Sequence, residues 1–460
     1  MSAADRVRRR GHLILLATAA VSRQCVADCQ PRWYAPEKPD GPLKYNGHVM
    51  EPACFNQTSD DPRPHTVYII GDWGGVMYSE WAEVMPADRR AKKFKKAHRV
   101  FIHGADDIAQ QKVANQMKWH AAKDRVDYIL NVGDNFYWGG IQASCSMEFG
   151  AEGVGKQQWT KIYEWMYNGE TLKDKQWLGV LGNHDYGGWN FLSAWDQTIA
   201  YTWGGEGTSW RWFQPALYYK AGAIYEDFSI DYFFIDSNVF DALDPYQVPG
   251  HNICSSAHNP ENKGCPKTGP YNIWQCKWWF IKIWKEQMTW IETELEKSVH
   301  TTDWQIVVTH FPPNWGVDHW AYLCEKYGID VYIAGHVHNQ QLWSPWGPVP
   351  YLDKFAHNPV GATAVVVSGG GGGITSEGVP SAEGWDNEYG FMKMQLAKDE
   401  IIIRHVSHGG QLREEIRVNK RLPQLTTTNP PTTVTATIAL DMDMRRMDAT
   451  RNASFPDEFV

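Results

Sequence analysis

The stretches VYIIGDWGG at 67–75 and YILNVGDNFYWGG at 128–140 decide the fold. Each begins as a short run of apolar and β-branched residues, which is typical of a buried strand, and each run leads into Gly-Asp. Glycine permits a tight turn after the strand, and aspartate is a ligand that hard metal ions prefer. Three more apolar runs end on asparagine or histidine in a similar manner. Their ends are LGNHDYGG (181–188), VVTH (307–310) and AGHVHNQ (334–340).

Apolar runs at seven places predict strands, and helical patterns lie between several of them. One predicted helix covers 110–123, and a second has apolar residues from Trp284 to Leu295 at the spacing of one buried helix face. Strands that alternate with helices predict a layered α/β domain with largely buried strands. The seven runs are VYII (67–70), YILNV (128–132), WLGVL (177–181), DYFFI (231–235), QIVVT (305–309), VYIA (331–334) and AVVVS (364–368).

Residues that bind metal ions follow five of these strands and predict one shared site. The carboxyl ends of strands in an open α/β sheet meet at one crevice, so residues far apart in sequence can converge there. Seven candidate ligands are too many for one ion, and a carboxylate shared by two ions about 3.5–4 Å apart makes a clamp for displacement at phosphorus. The candidates are Asp72, Asp134, Tyr137, Asn183, His310, His336 and His338.

The blocks GDWG, GDNFY, GNHD, VVTH and GHVH, in this order, resemble the five-block signature of purple acid phosphatases, a branch of the metallophosphoesterases. RWFQPALYY (211–219), FIDSNVF (234–240) and THFPPNWGVDH (309–319) resemble the small, mammalian-type (tartrate-resistant) enzymes. The resemblance covers about residues 66–418. It implies an α/β fold, the layered metallophosphoesterase sandwich, in which helices flank two mixed β-sheets.

The resemblance also implies the metals and their ligands. Tyr137 is the most discriminating residue, because generic metallophosphoesterases lack a tyrosine three residues after the bridging aspartate; the alternative is a core aromatic residue. A phenolate is a hard anionic donor that suits Fe(III). By this resemblance Asp72, Tyr137 and His338 hold Fe(III), Asp134 bridges the ions, and Asn183, His310 and His336 hold a divalent ion, which is Fe, Zn or Mn.

Three further residues are expected to act in catalysis. By the resemblance His184 faces the phosphate, and His319 protonates the leaving alkoxide, the alternative being that His319 is a solvated loop residue. Asp185 is expected to accept a hydrogen bond from a neighbouring imidazole and so orient it.

The implied activity is that of an acid phosphatase, a secreted enzyme that hydrolyses phosphomonoesters with metal-activated hydroxide at a binuclear Fe(III)–M(II) centre. One alternative is a phosphodiesterase or nucleotide pyrophosphatase on the same metal site. The other is a secreted iron-binding or recognition protein. A net charge of −9 argues against a nucleic-acid partner, and we expect a monomer without a membrane span.

The N-terminus and the cysteines predict an exported protein. Residues 1–22 combine a basic segment with an apolar run at 13–21, which resembles a signal peptide and is too short to span a bilayer. The eight cysteines form an even number, as expected for disulfides in an oxidising compartment. Sequons at Asn56 and Asn452 predict a glycoprotein. The expected location is therefore secreted or lumenal, including the lysosome or vacuole.

Composition divides the rest of the chain into three parts. Residues 23–65, rich in proline, cysteine and polar groups, are predicted to form an extended N-terminal arm. The metallophosphoesterase domain is expected at 66–418. Residues 419–460 are predicted to be a Thr/Pro linker and a disordered tail.

Two segments remain open to more than one interpretation. The basic run at 89–99 is either a solvated helix face or a region that steers anionic phosphates. The insertion at 241–275 could border the mouth of the site. The family resemblance implies that a disulfide joins this insertion to Cys324, and its partner could be Cys254, Cys265 or Cys276.

Two sequence clusters complete the predictions. The pentaglycine at 369–373 follows a strand and predicts a tight turn near the site, because no GK[ST] follows it. The tryptophans around 284 are interpreted as core residues rather than a carbohydrate platform, since Trp284 lies on the buried helix face. The cluster comprises Trp274, Trp278, Trp279, Trp284 and Trp290.

Overall fold

The structure is a computed structural model. The predicted signal segment, most of the tail and all of the basic run except Arg99 lie outside the described residues. The structure describes residues 29–56, 61–75, 77–78, 83–84, 99–147, 153–186, 194–204, 210–248, 252–257, 259, 265, 269–349 and 357–420.

Sixteen strands occur among the described residues, and fourteen of them form two large sheets. The other two, β3 and β4, pair with each other. In chain order the strands are β1 (His48–Cys54), β2 (His65–Ile70), β3 (Met77–Tyr78), β4 (Glu83–Val84), β5 (Arg125–Asn131), β6 (Trp177–Gly179), β7 (Trp212–Phe213), β8 (Tyr219–Ile224), β9 (Ser229–Phe234), β10 (Trp304–Val308), β11 (Val331–Ala334), β12 (Gln340–Trp343), β13 (Ala364–Ser368), β14 (Gly390–Leu396), β15 (Glu400–Ser407) and β16 (Leu412–Asn419).

Both large sheets are mixed. The first has the order β1-β8-β9-β10-β11-β13-β12, and the second has the order β16-β15-β14-β2-β5-β6-β7. A parallel run forms the centre of the first sheet, from β9 through β10 and β11 to β13. The second sheet has a parallel run from β2 through β5 and β6 to β7. The carboxyl ends of these parallel strands carry the sequence blocks that contain the candidate metal ligands.

Helices cover the outer faces of the two sheets. In the described part of the chain, no helix has the length and apolar character that a membrane span needs. The helices are α1 (Ala109–Ala121), α2 (Gly153–Gln157), which continues as the π-helix Gln158–Glu164, α3 (Gln197–Ala200), α4 (Ile273–Ser298) and α5 (Val317–Tyr327), and short 3₁₀ turns lie at Asp106–Ile108, Tyr201–Trp203 and Asn238–Asp241.

Three apolar layers hold the sandwich together. The central layer lies between the sheets, and residues such as Val67 and Leu130 of one sheet are fully buried in the same cluster as Ile306 of the other. Helices α4 and α5 pack on the outside of the first sheet, and α1 packs on the outside of the second. Burial of a Val, Leu or Ile side chain contributes about 1.5–3 kcal/mol, so this stacking is the main source of stability.

The sequence predicted this architecture correctly. All seven apolar runs form strands, and the predicted helices correspond to α1 and α4. Trp284, Met288, Ile291 and Leu295 are all buried, as the helical spacing required. The predicted fold class, two mixed sheets flanked by helices, is confirmed. The N-terminal arm contributes β1, which pairs in parallel with β8 at the edge of the first sheet.

Disulfide pairing differs from the expectation. Cys254 pairs with Cys276, and Cys265 pairs with Cys145. Because all three insertion cysteines are bonded to other partners, the expected bridge to Cys324 is wrong, and Cys324 is buried on α5 instead. A third bridge joins Cys29 to Cys54 and fixes the start of the arm to β1.

The tryptophan cluster is only partly in the core. Trp284 is buried, and Trp279 and Trp290 are half-buried against the same core. Trp274 and Trp278, however, are 47% and 66% exposed. The prediction of core packing is therefore wrong for these two, because they lie on the solvent side of the first turns of α4.

We predict that His405 makes the fold sensitive to acid. His405 is buried on β15, and burial lowers its pKa to about 3. The unfolded chain binds a proton near pH 6.5, so the free energy of unfolding should fall as the pH drops from about 6.5 to about 3, by at most about 1.4 kcal/mol per pH unit.

Denaturant unfolding at several pH values checks this prediction. His405→Gln should reduce the slope of unfolding free energy against pH by up to one proton. The control is His357→Gln at an exposed histidine, which should keep the wild-type slope. Equal slopes in all three proteins would contradict the prediction.

Candidate metal centre

Loops from both sheets form the site. Asp72, Asp134 and Asn183 follow β2, β5 and β6 of the second sheet, whereas His310 and His336 follow β10 and β11 of the first. Each strand belongs to a parallel run, so the loops leave the sheets at the same edge. The site therefore lies across the top of the sandwich, where both sheets end.

Three of these residues have left-handed backbone conformations. The φ angles are 57° at Asp72, 52° at Asp134 and 68° at His336. Residues other than glycine rarely adopt such angles, and they persist where surrounding contacts hold them. Here the His336 N–H donates to Asp72 Oδ2 at 3.0 Å, and the Asp72 N–H donates to the Gly133 carbonyl at 3.0 Å. The first of these bonds joins the two sheets directly.

One group of donors surrounds the Tyr137 hydroxyl. This oxygen lies 2.9 Å from Asp134 Oδ2, 3.1 Å from Asp72 Oδ1 and 3.4 Å from His338 Nε2. Tyr137 is only 2% exposed, and its hydroxyl faces two carboxylates. Asp72, Asp134 and His338 can each point one ligand atom at a common ion.

A second group surrounds the side-chain oxygen of Asn183. Asn183 Oδ1 lies 3.1 Å from His310 Nε2 and 3.2 Å from His336 Nδ1. His310 Nε2 is also 3.5 Å from Asp134 Oδ1. Asp134 thus presents one carboxylate oxygen to each group. His310 Nδ1 lies 2.7 Å from the Val132 carbonyl, which can only accept, so Nδ1 carries the proton and the Nε2 lone pair faces the group.

The charges of the site require compensation. Burial raises the pKa of Asp72, and the nearby Asp134 charge raises it further. Burial and the two carboxylates also raise the pKa of Tyr137. Burial lowers the pKa of His338, but Asp72 and Glu377 outweigh this effect and raise it to about 9. Closely spaced buried anions are costly without cations, so this set of oxygen and imidazole donors fits hard or borderline metal ions.

His184 lies beside the first donor group. Its backbone N–H donates to Asp134 Oδ1 at 2.9 Å, and its ring Nδ1 donates to the Trp138 carbonyl at 2.8 Å. The imidazole packs on the Tyr137 ring at 4.6 Å, and burial lowers its pKa. Since the carbonyl fixes the proton on Nδ1, Nε2 is the nitrogen that can meet a bound molecule.

Asp185 differs from its expected role, because its carboxylate does not meet an imidazole in the described structure. It accepts instead from the backbone N–H groups of Gly182, Asn135 and Phe136, at 2.8, 2.8 and 3.2 Å, and from the Asn135 side chain at 2.9 Å. Asp185 therefore joins the loop after β6 to the loop after β5. It holds Asn183 and Asp134 at a fixed separation.

His319 packs against Met288 of α4. It lies in the first turn of α5, and its Nε2 is 2.8 Å from Met288 Sδ. Burial lowers its pKa to about 4. None of the described hydrogen bonds or ring contacts joins it to the other candidate site residues. Its role as a proton donor therefore stays a prediction.

The pentaglycine packs against the site, as the sequence predicted. The Gly373 N–H donates to the Asp72 carbonyl at 2.9 Å. A Cβ on Gly373 would lie 2.8 Å from the Tyr137 ring and equally close to the backbone of Trp73 and Gly74, so a larger residue would displace this loop. The same stretch leads to Glu377, which contacts His338 and belongs to no recognised motif.

The model of the calcineurin-like phosphoesterase family matches residues 65–340. The chain belongs to this family. Its members hydrolyse phosphoesters, so the protein is a phosphoester hydrolase, and the expected resemblance is confirmed by relatives named as tartrate-resistant and purple acid phosphatases.

Three relatives illustrate the similarity. Human tartrate-resistant acid phosphatase type 5 is 24% identical over 322 residues, which cover 67% of this chain and 78% of the relative. Purple acid phosphatase 7 of Arabidopsis thaliana is 27% identical over 254 residues, covering 53% and 63%. Among solved structures, purple acid phosphatase PPD1 from yellow lupin seeds has a TM-score of 0.44 and 16% identity, covering 84% of this chain and 59% of that chain.

We predict that Gly182→Ala disrupts the site without unfolding the sandwich. A Cβ at this position would lie 2.1 Å from Asp134 Oδ1, so the carboxylate must move. A displacement of about 1 Å at a reacting centre can lower turnover about 100-fold. Aryl-phosphate turnover and elemental analysis should both show a loss.

Gly41→Ala is the matched control, because a Cβ there would meet nothing within 4 Å. It should retain wild-type turnover and metal content. Full activity and full metal content in Gly182→Ala would contradict the geometry described for Asp134.

Proposed function

We propose that this protein is an acid phosphatase that hydrolyses phosphomonoesters at a binuclear centre of Fe(III) and a divalent ion. The single observation that carries the proposal is the position of Asp134, whose two carboxylate oxygens face two separate donor groups. A carboxylate in this position is the arrangement that a pair of metal ions requires.

The two donor groups differ in chemistry, which supports two different ions. Asp72, Tyr137 and His338 would hold Fe(III), because a phenolate and a carboxylate are hard anionic donors. The neutral donors Asn183, His310 and His336 would hold the divalent ion, which is Fe, Zn or Mn. When bound, the ions would supply Lewis acidity that lowers the pKa of water and neutralises charge on the phosphoryl oxygens.

His184 would bind the substrate phosphate. Its ring is fixed by the Trp138 carbonyl on one side and the Tyr137 ring on the other, so it keeps one orientation. When protonated, Nε2 would donate to a phosphoryl oxygen and stabilise the charge that develops there. Since burial lowers the pKa of His184, protonation requires acidic solution or the nearby phosphate charge.

An oxidising compartment fits the described cysteines. Three disulfides occur among them, including one that joins the arm to its own strand. Such bonds persist in secreted and lumenal proteins. Together with the signal-like residues 1–22, they support export to a secreted or lumenal location, including the lysosome or vacuole.

Tyr137→Phe tests the identity of the metal. The iron-loaded wild type should show a broad visible band from charge transfer between phenolate and Fe(III), and the variant should lose it. Tyr232→Phe is the matched control, because that tyrosine is buried between the sheets and its hydroxyl meets Tyr128. The control should keep the band.

Aryl monoester and diester turnover from pH 4 to 8 completes this experiment. We expect a monoester preference at acidic pH. A metal-replete but colourless protein, most active near neutral pH, would contradict the Fe(III) proposal. A diester preference would instead favour the phosphodiesterase alternative.

His184→Asn tests the proposed substrate contact. Loss of one positioned donor lowers kcat/KM by about 100-fold or more. Metal content should not change, since the bond from residue 184 to Asp134 comes from the backbone. His357→Asn at an exposed position is the control. Wild-type kcat/KM in His184→Asn would remove this residue from the mechanism.

A further inference from the structure

Glu377 lies on the outer side of His338, opposite the donor group. Its Oε1 accepts from the His338 backbone N–H at 3.3 Å and lies 3.6 Å from His338 Nδ1. The Glu377 N–H donates in turn to the His338 carbonyl at 3.2 Å. On its inner side, His338 Nε2 lies 3.5 Å from Asp72 Oδ1. The imidazole thus lies between two carboxylates, one near each ring nitrogen.

A buried network fixes the residue next to Glu377. The Arg99 guanidinium donates to the Ser376 carbonyl at 3.0 Å and to the Ser376 hydroxyl at 2.7 Å. Arg99 also forms a two-pronged ion pair with Asp106 at 2.7 and 2.9 Å, and Asp106 is fully buried. The Tyr389 hydroxyl donates to Asp106 at 2.6 Å and accepts from the Ser376 N–H at 2.9 Å.

The residue on the other side of Glu377 is fixed as well. The Gly378 N–H donates to Glu388 Oε2 at 2.7 Å, and the Ser376 hydroxyl donates to the Gly378 carbonyl at 3.0 Å. Because both neighbours of Glu377 are held, its backbone direction is determined even though its side chain is 46% exposed. Rigid support of this kind is what a positioning residue needs.

We propose that Glu377 is a positioning residue that orients His338 toward the metal shared with Asp72 and Tyr137, and this inference rests on the proposed binuclear centre. A carboxylate behind a metal-binding histidine fixes the ring orientation and increases its basicity, and loss of such a partner costs about 10–100-fold in metal affinity. The described contacts of Glu377 are with His338, so we assign it a positioning role rather than a place among the ligands.

Stability alone does not explain this arrangement. An exposed carboxylate beside a histidine contributes little to the stability of the fold, because water screens the interaction. Removing the Glu377 charge should therefore leave the Tm of the metal-free protein almost unchanged while weakening the binding of the metal. If Glu377 only supported the fold, its removal would lower the Tm and leave metal retention unchanged.

The test compares Glu377→Gln with Glu383→Gln in the full-length, metal-loaded protein. Glu383 is an exposed glutamate six residues away, so the two variants carry the same chemical change. Each protein is treated with increasing concentrations of a chelator, and retained metal is measured by elemental analysis. Glu377→Gln should lose half of its metal at a chelator concentration about 10-fold lower than the wild type, whereas Glu383→Gln should match the wild type.

Two further variants separate the effect of the Glu377 charge from that of its hydrogen bond. Glu377→Ala removes both the charge and the acceptor for the His338 N–H, so it should lose metal at least as readily as Glu377→Gln. Glu377→Asp restores the charge at a shorter reach and should recover part of the retention. The visible band of the iron-loaded protein should shift in Glu377→Gln, because His338 no longer has a fixed orientation.

Equal metal retention in Glu377→Gln and Glu383→Gln would overturn the proposal. A wild type that holds metal but has no tyrosinate band would contradict the Fe(III) assignment alone, because the retention comparison still tests Glu377. A wild type that holds no metal would contradict both.

Discussion

The close burial of two carboxylates and a phenol is the constraint on which the rest of the structure depends. Asp72 and Asp134 lie within 3.1 Å of the same Tyr137 oxygen, and all three are almost inaccessible to water. Two charged carboxylates that both lie this close to one oxygen atom repel each other, and burial adds a desolvation cost to each charge. This arrangement is possible because the surrounding fold holds the three groups together and because bound cations can offset their negative charge.

The two-sheet sandwich provides that hold. One sheet supplies Asp72, Asp134 and Asn183 at the ends of neighbouring parallel strands, and the other supplies His310 and His336. Neither sheet alone carries both donor groups. The sheets pack through a shared apolar layer, so the same hydrophobic contacts that stabilise the fold also set the distance between the candidate ligands. Formation of the site is therefore coupled to sheet packing rather than to any one loop.

The parts of the molecule that could be predicted from the sequence are those that depend on residues close together in the chain. Buried parallel strands appear as continuous apolar runs, and a candidate metal ligand after five of the seven runs marks the site. Strand β16 escaped prediction because six of its eight residues, including Leu412, are exposed and form no apolar run. Disulfide partners, the exposure of Trp278 and the partners of Asp185 depend on distances between segments remote in sequence. Glu377 lies 39 residues from His338, and no motif or spacing links them.

Asp185 and Glu377 both support loops of the candidate site, one in each sheet. Asp185 ties two loops of the second sheet together through backbone N–H groups, whereas Glu377 approaches a histidine that follows β11 of the first sheet. Both accept hydrogen bonds from backbone N–H groups of loops that carry candidate ligands. Since misplacement of a ligand by a fraction of an ångström weakens a metal site, such outer contacts would contribute to metal affinity without binding the metal. The precision of the centre therefore comes from its surroundings, which the ligand motifs alone do not encode.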